Sequence, residues 1–159
     1  MNHAARVEEE IFVTASAESV YRAVSDVRRM GEWSPECVGA WSRSKRFEPG
    51  TRFIGWNHKR LWFWFTSCTV VRAEYPSDFA FTVHTFGMPV ALWGYRFEDR
   101  NSGCLVTEYW EDRRTGRSAP LARLLGLVFT GTPAKRRAEA NRKGMRATLD
   151  RLKAVAERA

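Results

Sequence analysis

The stretch from Pro133 to Glu157 constrains the chain most, because it reads as one long amphipathic helix closing a sequence otherwise dominated by strand patterns. Thr132 stands where it can accept from the first turn, and Pro133 suits the first helical position, where its missing N–H would be an orphan anyway. Ala138, Asn141, Met145, Leu149, Leu152 and Ala156 recur at three- and four-residue spacing and form a narrow stripe, with Arg142, Lys143, Arg146, Asp150 and Lys153 around the rest of the helix. Gly144 costs about 1 kcal/mol relative to Ala in a helix interior, so packing must hold the helix there. The natural partner for such a stripe is a sheet.

At 159 residues the chain suits one domain, 1–159, with a real core. Aromatic residues make up 13%, with seven Trp and ten Phe, more ring than a small core needs, so some rings are expected to line a space. The formal net charge of +8 is uneven: residues 113–159 sum to +10 and residues 1–112 to −2. A basic helix of this kind suits nucleic acid or an anionic membrane surface, but no nucleic-acid motif accompanies it, and a solvated face is the expectation. No apolar run resembles a signal peptide, and no stretch approaches about 18 apolar residues, so a cytoplasmic location is expected. Cys37, Cys68 and Cys104 lack any paired spacing and are expected as reduced, packed thiols.

In chain order, Val7 to Thr14 reads as an opening strand, followed by a helix capped by Ser16 and a second short helix after Asp26, with Val27, Met30 and Trp33 as its apolar side. Pro35 stops that helix. Six strand patterns follow, over Val38–Ser44, Thr51–His58, Phe63–Ala73, Phe79–Phe86, Val90–Glu98 and Leu105–Arg113. The turn signals Glu48-Pro49-Gly50, Tyr75 to Asp78 and Asp99 to Gly103 are short, which favours antiparallel pairing in a meander. Period-two alternation puts Phe79, Phe81 and Val83 on one face, with Trp93, Tyr95 and Phe97 likewise on the side expected to meet the helix. For the last strand, polarity does not choose between Val106, Glu108, Trp110 and Leu105, Thr107, Tyr109. Ser118 to Phe129, apolar around much of its circumference, is expected as a short helix or lid, serving as a gate, a packing element or a dimer contact.

The order strand, two short helices, six strands and long helix, with Trp33-Ser34-Pro35 after the second helix, resembles the START-like helix-grip (SRPBCC) superfamily, most closely its polyketide cyclase/dehydrase and lipid-transport branch. The resemblance covers nearly the whole chain, including Gly31 to Cys37, Gly50 to Asn57, Val106-Thr107-Glu108 and Gly144 to Leu149. It implies an α+β fold in which a seven-stranded curved antiparallel sheet, with two short helices after strand 1, wraps around a long C-terminal helix and leaves a hydrophobic cavity between them. It also implies that Phe53, Gly55 and Asn57 point inward, as do Val106, Glu108 and Trp110, which puts a carboxylate in the cavity.

The candidate ligand-binding residues are Trp33, Phe53, Asn57, Phe81, Trp93, Tyr95, Trp110, Asn141 and Met145, and Glu108 is the candidate catalytic group. Trp33 reads first as a core plug and otherwise as a ligand wall, and Asn57 and Asn141 read equally as structural hydrogen-bonding groups or ligand contacts. His58 and His84 have no partner at nucleophile or metal spacing, and no triad, phosphate loop, metal cluster or cofactor motif is present. Two functions follow, with a basic partner- or membrane-binding module as the outsider. One is binding of a hydrophobic or aromatic small molecule, polyketide- or lipid-like, by a monomer or homodimer. The other is a cyclase or dehydratase using Glu108 as an acid/base group. An inward Glu108 needs a raised pKa or a nearby donor, for which Tyr95, Asn57 and Arg72 are the candidates; a purely structural tie between strands is the third role open to it.

Overall fold

The computed structural model describes residues 6–114, 120 and 134–159. Strand β1 (Arg6–Val13) leads into helix α1 (Ala17–Ser25) and a 3-10 helix (Val27–Glu32). Both helices start where side chains satisfy orphan N–H groups: Ser16 Oγ accepts from the Ser19 N–H at 3.2 Å, and Asp26 Oδ1 from the Arg28 N–H at 3.3 Å. Then come β2 (Cys37–Trp41), β3 (Arg52–Lys59), β4 (Trp62–Glu74), β5 (Asp78–Thr85), β6 (Met88–Arg100) and β7 (Gly103–Asp112), and finally helix α2 (Ala134–Ala156). The strands form one antiparallel sheet in the order β1-β7-β6-β5-β4-β3-β2, a curved meander with β1 brought back beside β7. With α2 laid across it, this is the helix-grip arrangement.

The links are shorter than the turn signals alone imply. Arg60 (φ 56°) and Leu61 join β3 to β4, and Phe86 and Gly87, at φ 50° and 74°, join β5 to β6. Two successive positive φ values match the right-handed twist of the paired strands. The expected turn from Asp99 to Gly103 contracts to Asn101 and Ser102, because pairing continues to Arg100 opposite Gly103. Strand β2 ends at Trp41 instead of Ser44: the Ser42 hydroxyl donates to the Arg52 carbonyl at 2.8 Å and accepts from the Ser44 N–H at 3.2 Å, which turns the backbone away from the ladder. The expected lid over residues 118–129 lies outside the described residues apart from residue 120, as do the Thr132 cap and Pro133.

Helix α2 buries Met145, Leu149 and Leu152, each at most 2% exposed. Leu149 and Leu152 join a core with Val106, Phe97 and Val20, while Met145 packs with Val7, Ala91 and Trp110. Charge ties the helix to the first strand: Glu9 meets Arg142 and Arg146 at 3.4 and 3.2 Å, and Lys153 Nζ donates to the Phe12 carbonyl at 2.9 Å. Glu157 Oε1 accepts from the Thr14 N–H at 2.9 Å, so the basic face of α2 is used in part within the chain.

Strand β7 is buried on both faces, which is why polarity could not choose its inward set. Tyr109 points outward and is 1% exposed, packed with Ala80 and Leu92. Its hydroxyl donates to Asp78 Oδ1 at 2.9 Å and accepts from Arg72, and the guanidiniums of Arg6, Arg72 and Arg96 lie 5.3, 5.7 and 5.3 Å from its ring centroid. Gly94 makes room for it: a Cβ there would come within 2.2 Å of Tyr109 Cζ.

Candidate functional site

Between the sheet and α2 lies a cavity of about 130 Å³. Strands β3 and β4 contribute alternate residues, Phe53, Gly55 and Asn57 from one and Trp64, Thr66 and Cys68 from the other. The 3-10 helix and the loop after it add Met30 and the segment Ser34 to Cys37. Helix α2 supplies Arg137, Asn141, Gly144, Met145 and Thr148, a one-sided set at spacings of three and four. Gly144 widens the space, since a Cβ there would meet nothing nearer than Pro35 Cγ at 4.0 Å. The helix-weakening glycine read from sequence is therefore part of the cavity wall.

Of the candidate residues, Phe53, Asn57, Phe81, Trp93, Tyr95, Glu108, Asn141 and Met145 all meet at this wall. Trp33 and Trp110 do not. Trp33 is 1% exposed and belongs to the core, with the Arg29 guanidinium 5.7 Å from its ring. Trp110 faces inward as the resemblance implied, but it lies one residue pair beyond Glu108 on that face and is taken up by packing against Met145, Val7 and Ala91. The geometry thus favours the core reading for Trp33.

Glu108 is 2% exposed, and Tyr95, its neighbour across β6 and β7, donates a hydrogen bond to Oε1 at 2.9 Å. Oε2 has no partner. Burial pushes the carboxyl up to about 8, with the Tyr95 bond opposing, so at neutral pH the group is mostly protonated. The Tyr95 phenol is raised well above its ordinary value, first by burial and then by the neighbouring carboxyl. The other proposed donors do not reach Glu108. Asn57 Nδ2 donates to the Gly55 carbonyl and to Thr66 Oγ1, both at 3.3 Å. Arg72 is on the opposite face, a correction to its expected inward placement: a bulge between Val70 and Arg72 inserts Val71, so Val70 opposes inward Phe81 while Arg72 opposes outward Ala80.

Two further polar groups in the wall are short of partners. Among the described residues, Asn141, 5% exposed, has no partner for Nδ2, and Arg137 none for its buried Nη1. The other arm of Arg137 meets Glu36 Oε2 at 3.4 Å, and Lys59 Nζ approaches Glu36 Oε1 at 3.9 Å, so one carboxylate links α2, the loop before β2 and the end of β3. Arg137 was not among the sequence candidates. Its spacing of four residues from Asn141 placed it on the same face, but among so many arginines nothing marked it as special. Cys37 and Cys68 also line the cavity; burial raises both thiols, Cys68 to about 12, so they are protonated and poor nucleophiles. Among the described residues no three of His, Cys, Asp or Glu converge as a metal-binding group.

The wall is thus apolar with a few fixed polar groups, the usual make-up of a small-molecule site. Its volume is below the roughly 300–1,000 Å³ of sites that take drug-sized ligands and near the roughly 150 Å³ of an engineered cavity that takes benzene.

The fold recurs among solved structures. The solution structure of the Polyketide_cyc-like protein Cgl2372 from Corynebacterium glutamicum is 28% identical, with 99% of this chain and 94% of that chain aligned at a TM-score of 0.62. A protein from Mesorhizobium loti is 13% identical over 98% of both chains, at a TM-score of 0.69. The di-domain ARO/CYC StfQ from the steffimycin biosynthetic pathway is 14% identical at a TM-score of 0.73, with 98% of this chain matched to 51% of that one. No curated protein matches the sequence. The sequence profile of the family described as polyketide cyclase / dehydrase and lipid transport matches residues 4–157, and the chain belongs to that family.

Proposed function

We propose that this is a cytoplasmic protein that binds a hydrophobic or aromatic small molecule, polyketide- or lipid-like, in the cavity between the sheet and α2. The observation that carries this reading is a set of polar atoms without partners among the described residues, in a predominantly apolar wall: Glu108 Oε2, Asn141 Nδ2 and Arg137 Nη1. A buried donor or acceptor left unpaired costs about 1–3 kcal/mol, and a ligand that pairs it recovers that cost. The ligand would present an oxygen acceptor to Asn141 and Arg137, and a hydroxyl or carbonyl to Glu108. Its apolar part would be about one ring in size unless the walls move apart. Native mass spectrometry of the purified protein tests the reading directly: a retained small molecule, lost in Asn141→Leu, supports it. An empty protein that takes up no aromatic hydroxy or keto compound, as judged by thermal shift, would remove it.

A second reading, an acid/base enzyme of the cyclase or dehydratase type, is favoured by one observation, the Glu108 carboxyl held near pH 8. A buried group of that pKa can deliver a proton to a substrate oxygen and take one back at neutral pH, while the cavity holds the reacting carbons together. Glu108→Gln separates the readings because it keeps size and hydrogen bonding but cannot shuttle a proton. Lost turnover with ligand affinity retained marks catalysis. A loss of affinity of about tenfold or more marks an anchor. Altered thermal stability with binding and turnover both intact marks a scaffold.

A further inference from the structure

The hairpin of β3 and β4 has two apolar faces. One carries Phe53, Asn57, Trp64 and Thr66 in the cavity wall, which fixes the hairpin in place. The other faces out with Trp56 and Phe65 paired across the strands, 52% and 55% exposed, and the tip carries Leu61 at 94% and Phe63 at 71%. Trp41 from β2 extends this surface at 54%, beside Ile54. A contiguous exposed patch of large apolar residues marks an interaction surface.

Charge identifies the partner. Residues 41–65 hold Arg43, Lys45, Arg46, Arg52, Lys59 and Arg60 against Glu48 alone, within a chain of net charge +8. Four of the seven Trp residues also fall in this stretch. A second copy of the same surface would bring these cations against their like, whereas an anionic partner is attracted. Nucleic acid is the less suitable anion. A stacking platform needs ring faces open to bases, but Trp56 leans on Phe65 with centroids 5.9 Å apart, Phe63 on His58 at 4.4 Å, and the most exposed residue is an aliphatic leucine. Trp, Phe and Leu along a face that carries Arg60 at its tip and exposed Arg52 at its far end match the interface of an anionic bilayer, where rings sit at headgroup depth and basic side chains reach the phosphates.

We infer that the outward face and tip of the β3–β4 hairpin dock peripherally on an anionic membrane surface. Among the described residues no helix is long and apolar enough to cross a membrane, so this contact is interfacial. It does not depend on the cavity being occupied.

Vesicle co-sedimentation of the whole chain tests this, using phosphatidylcholine alone and phosphatidylcholine with 30% phosphatidylglycerol, at low and physiological salt. Binding to the anionic vesicles should exceed binding to the neutral ones by about tenfold or more and weaken with salt, with a blue shift of tryptophan fluorescence. Leu61→Ser/Phe63→Ser should abolish it. Arg60→Glu, which leaves the apolar tip intact, should reduce it about tenfold even if the double variant fails to fold. No binding to anionic vesicles at low salt overturns the inference, as does equal binding by wild type and both variants. A dimer in solution dissolved by Leu61→Ser/Phe63→Ser would assign the face to self-association instead. Tighter binding to an oligo-dT 20-mer than to anionic vesicles would assign it to nucleic acid.

Discussion

Glu108 and Tyr109 are consecutive on β7 and face opposite sides of the sheet, and they are served very differently. Inside, among the described residues, the carboxyl has one neutral donor, Tyr95, and an oxygen with no partner, and burial lifts it to about 8. Outside, the phenol is bonded to both Asp78 and Arg72 and held beneath three guanidiniums. Both residues are buried, so burial alone does not distinguish a site from a scaffold. Completeness of pairing does. The Tyr109 hydroxyl has both its hydrogen bonds made, and the one unbonded donor beside it, Arg72 Nε, lies 3.5 Å from Asp78 Oδ2, whereas Glu108 Oε2 has no partner among the described residues and keeps the bonding capacity that the proposed ligand would use.

The largest effect should come from the grip on the inner face. Leu149→Ala or Met145→Ala should each cost about 2–5 kcal/mol in chemical denaturation, because both side chains are buried between α2 and the sheet. Unchanged midpoints in both would mean that α2 does not hold the inner face closed. On the outer face, Gly94→Ala should cost about 1–3 kcal/mol, since the added methyl overlaps the Tyr109 ring. Tyr109→Ser in that background should recover part of the loss relative to the sum of the two single changes, and strict additivity would show that the ring is not what excludes the methyl.

The contrast in pairing is sharpened by pH. The folded-state pKa of Glu108 is raised from 4.5 to about 8, so the native state binds the extra proton, and the stability this contributes is complete below about 4.5 and lost as pH rises to about 8. Wild-type stability should therefore fall across that window, by at most about 1.4 kcal/mol per pH unit from this group, and Glu108→Gln should flatten the fall. A wild-type and a Gln variant with parallel stability profiles from pH 5 to 8 would mean that Glu108 titrates normally. The smallest effect belongs to Tyr109→Phe, which keeps the ring and its cations but removes two hydrogen bonds. It should cost about 0.5–1.5 kcal/mol by thermal denaturation, softened by the direct approach of Arg72 to Asp78 at 3.5 Å. A cost near zero would show that this ion pair alone holds the outer cluster.

The element order, the antiparallel meander and the buried stripe of α2 were legible in the sequence for a local reason, whereas the inward set Phe53, Gly55 and Asn57 came from the family resemblance. Helical and strand periodicity, caps and turn residues act over a few positions, and each is written in neighbouring side chains. An inward Glu108 needed the family resemblance, because a strand buried on both faces shows no alternation of polarity. Tertiary structure alone decided the rest. One inserted residue, Val71, reversed the face of Arg72, and Asn57 turned to Gly55 and Thr66, which left Tyr95 as the donor to Glu108 among the three candidates. Packing placed Trp33 in the core and Trp110 against Met145, away from the cavity, and brought Arg137 into its wall. Period-two alternation carries no record of a bulge, and hydrophobicity does not say which buried ring will border an empty space. Those outcomes depend on how the sheet curves around the helix, which is set by contacts between residues far apart in the chain.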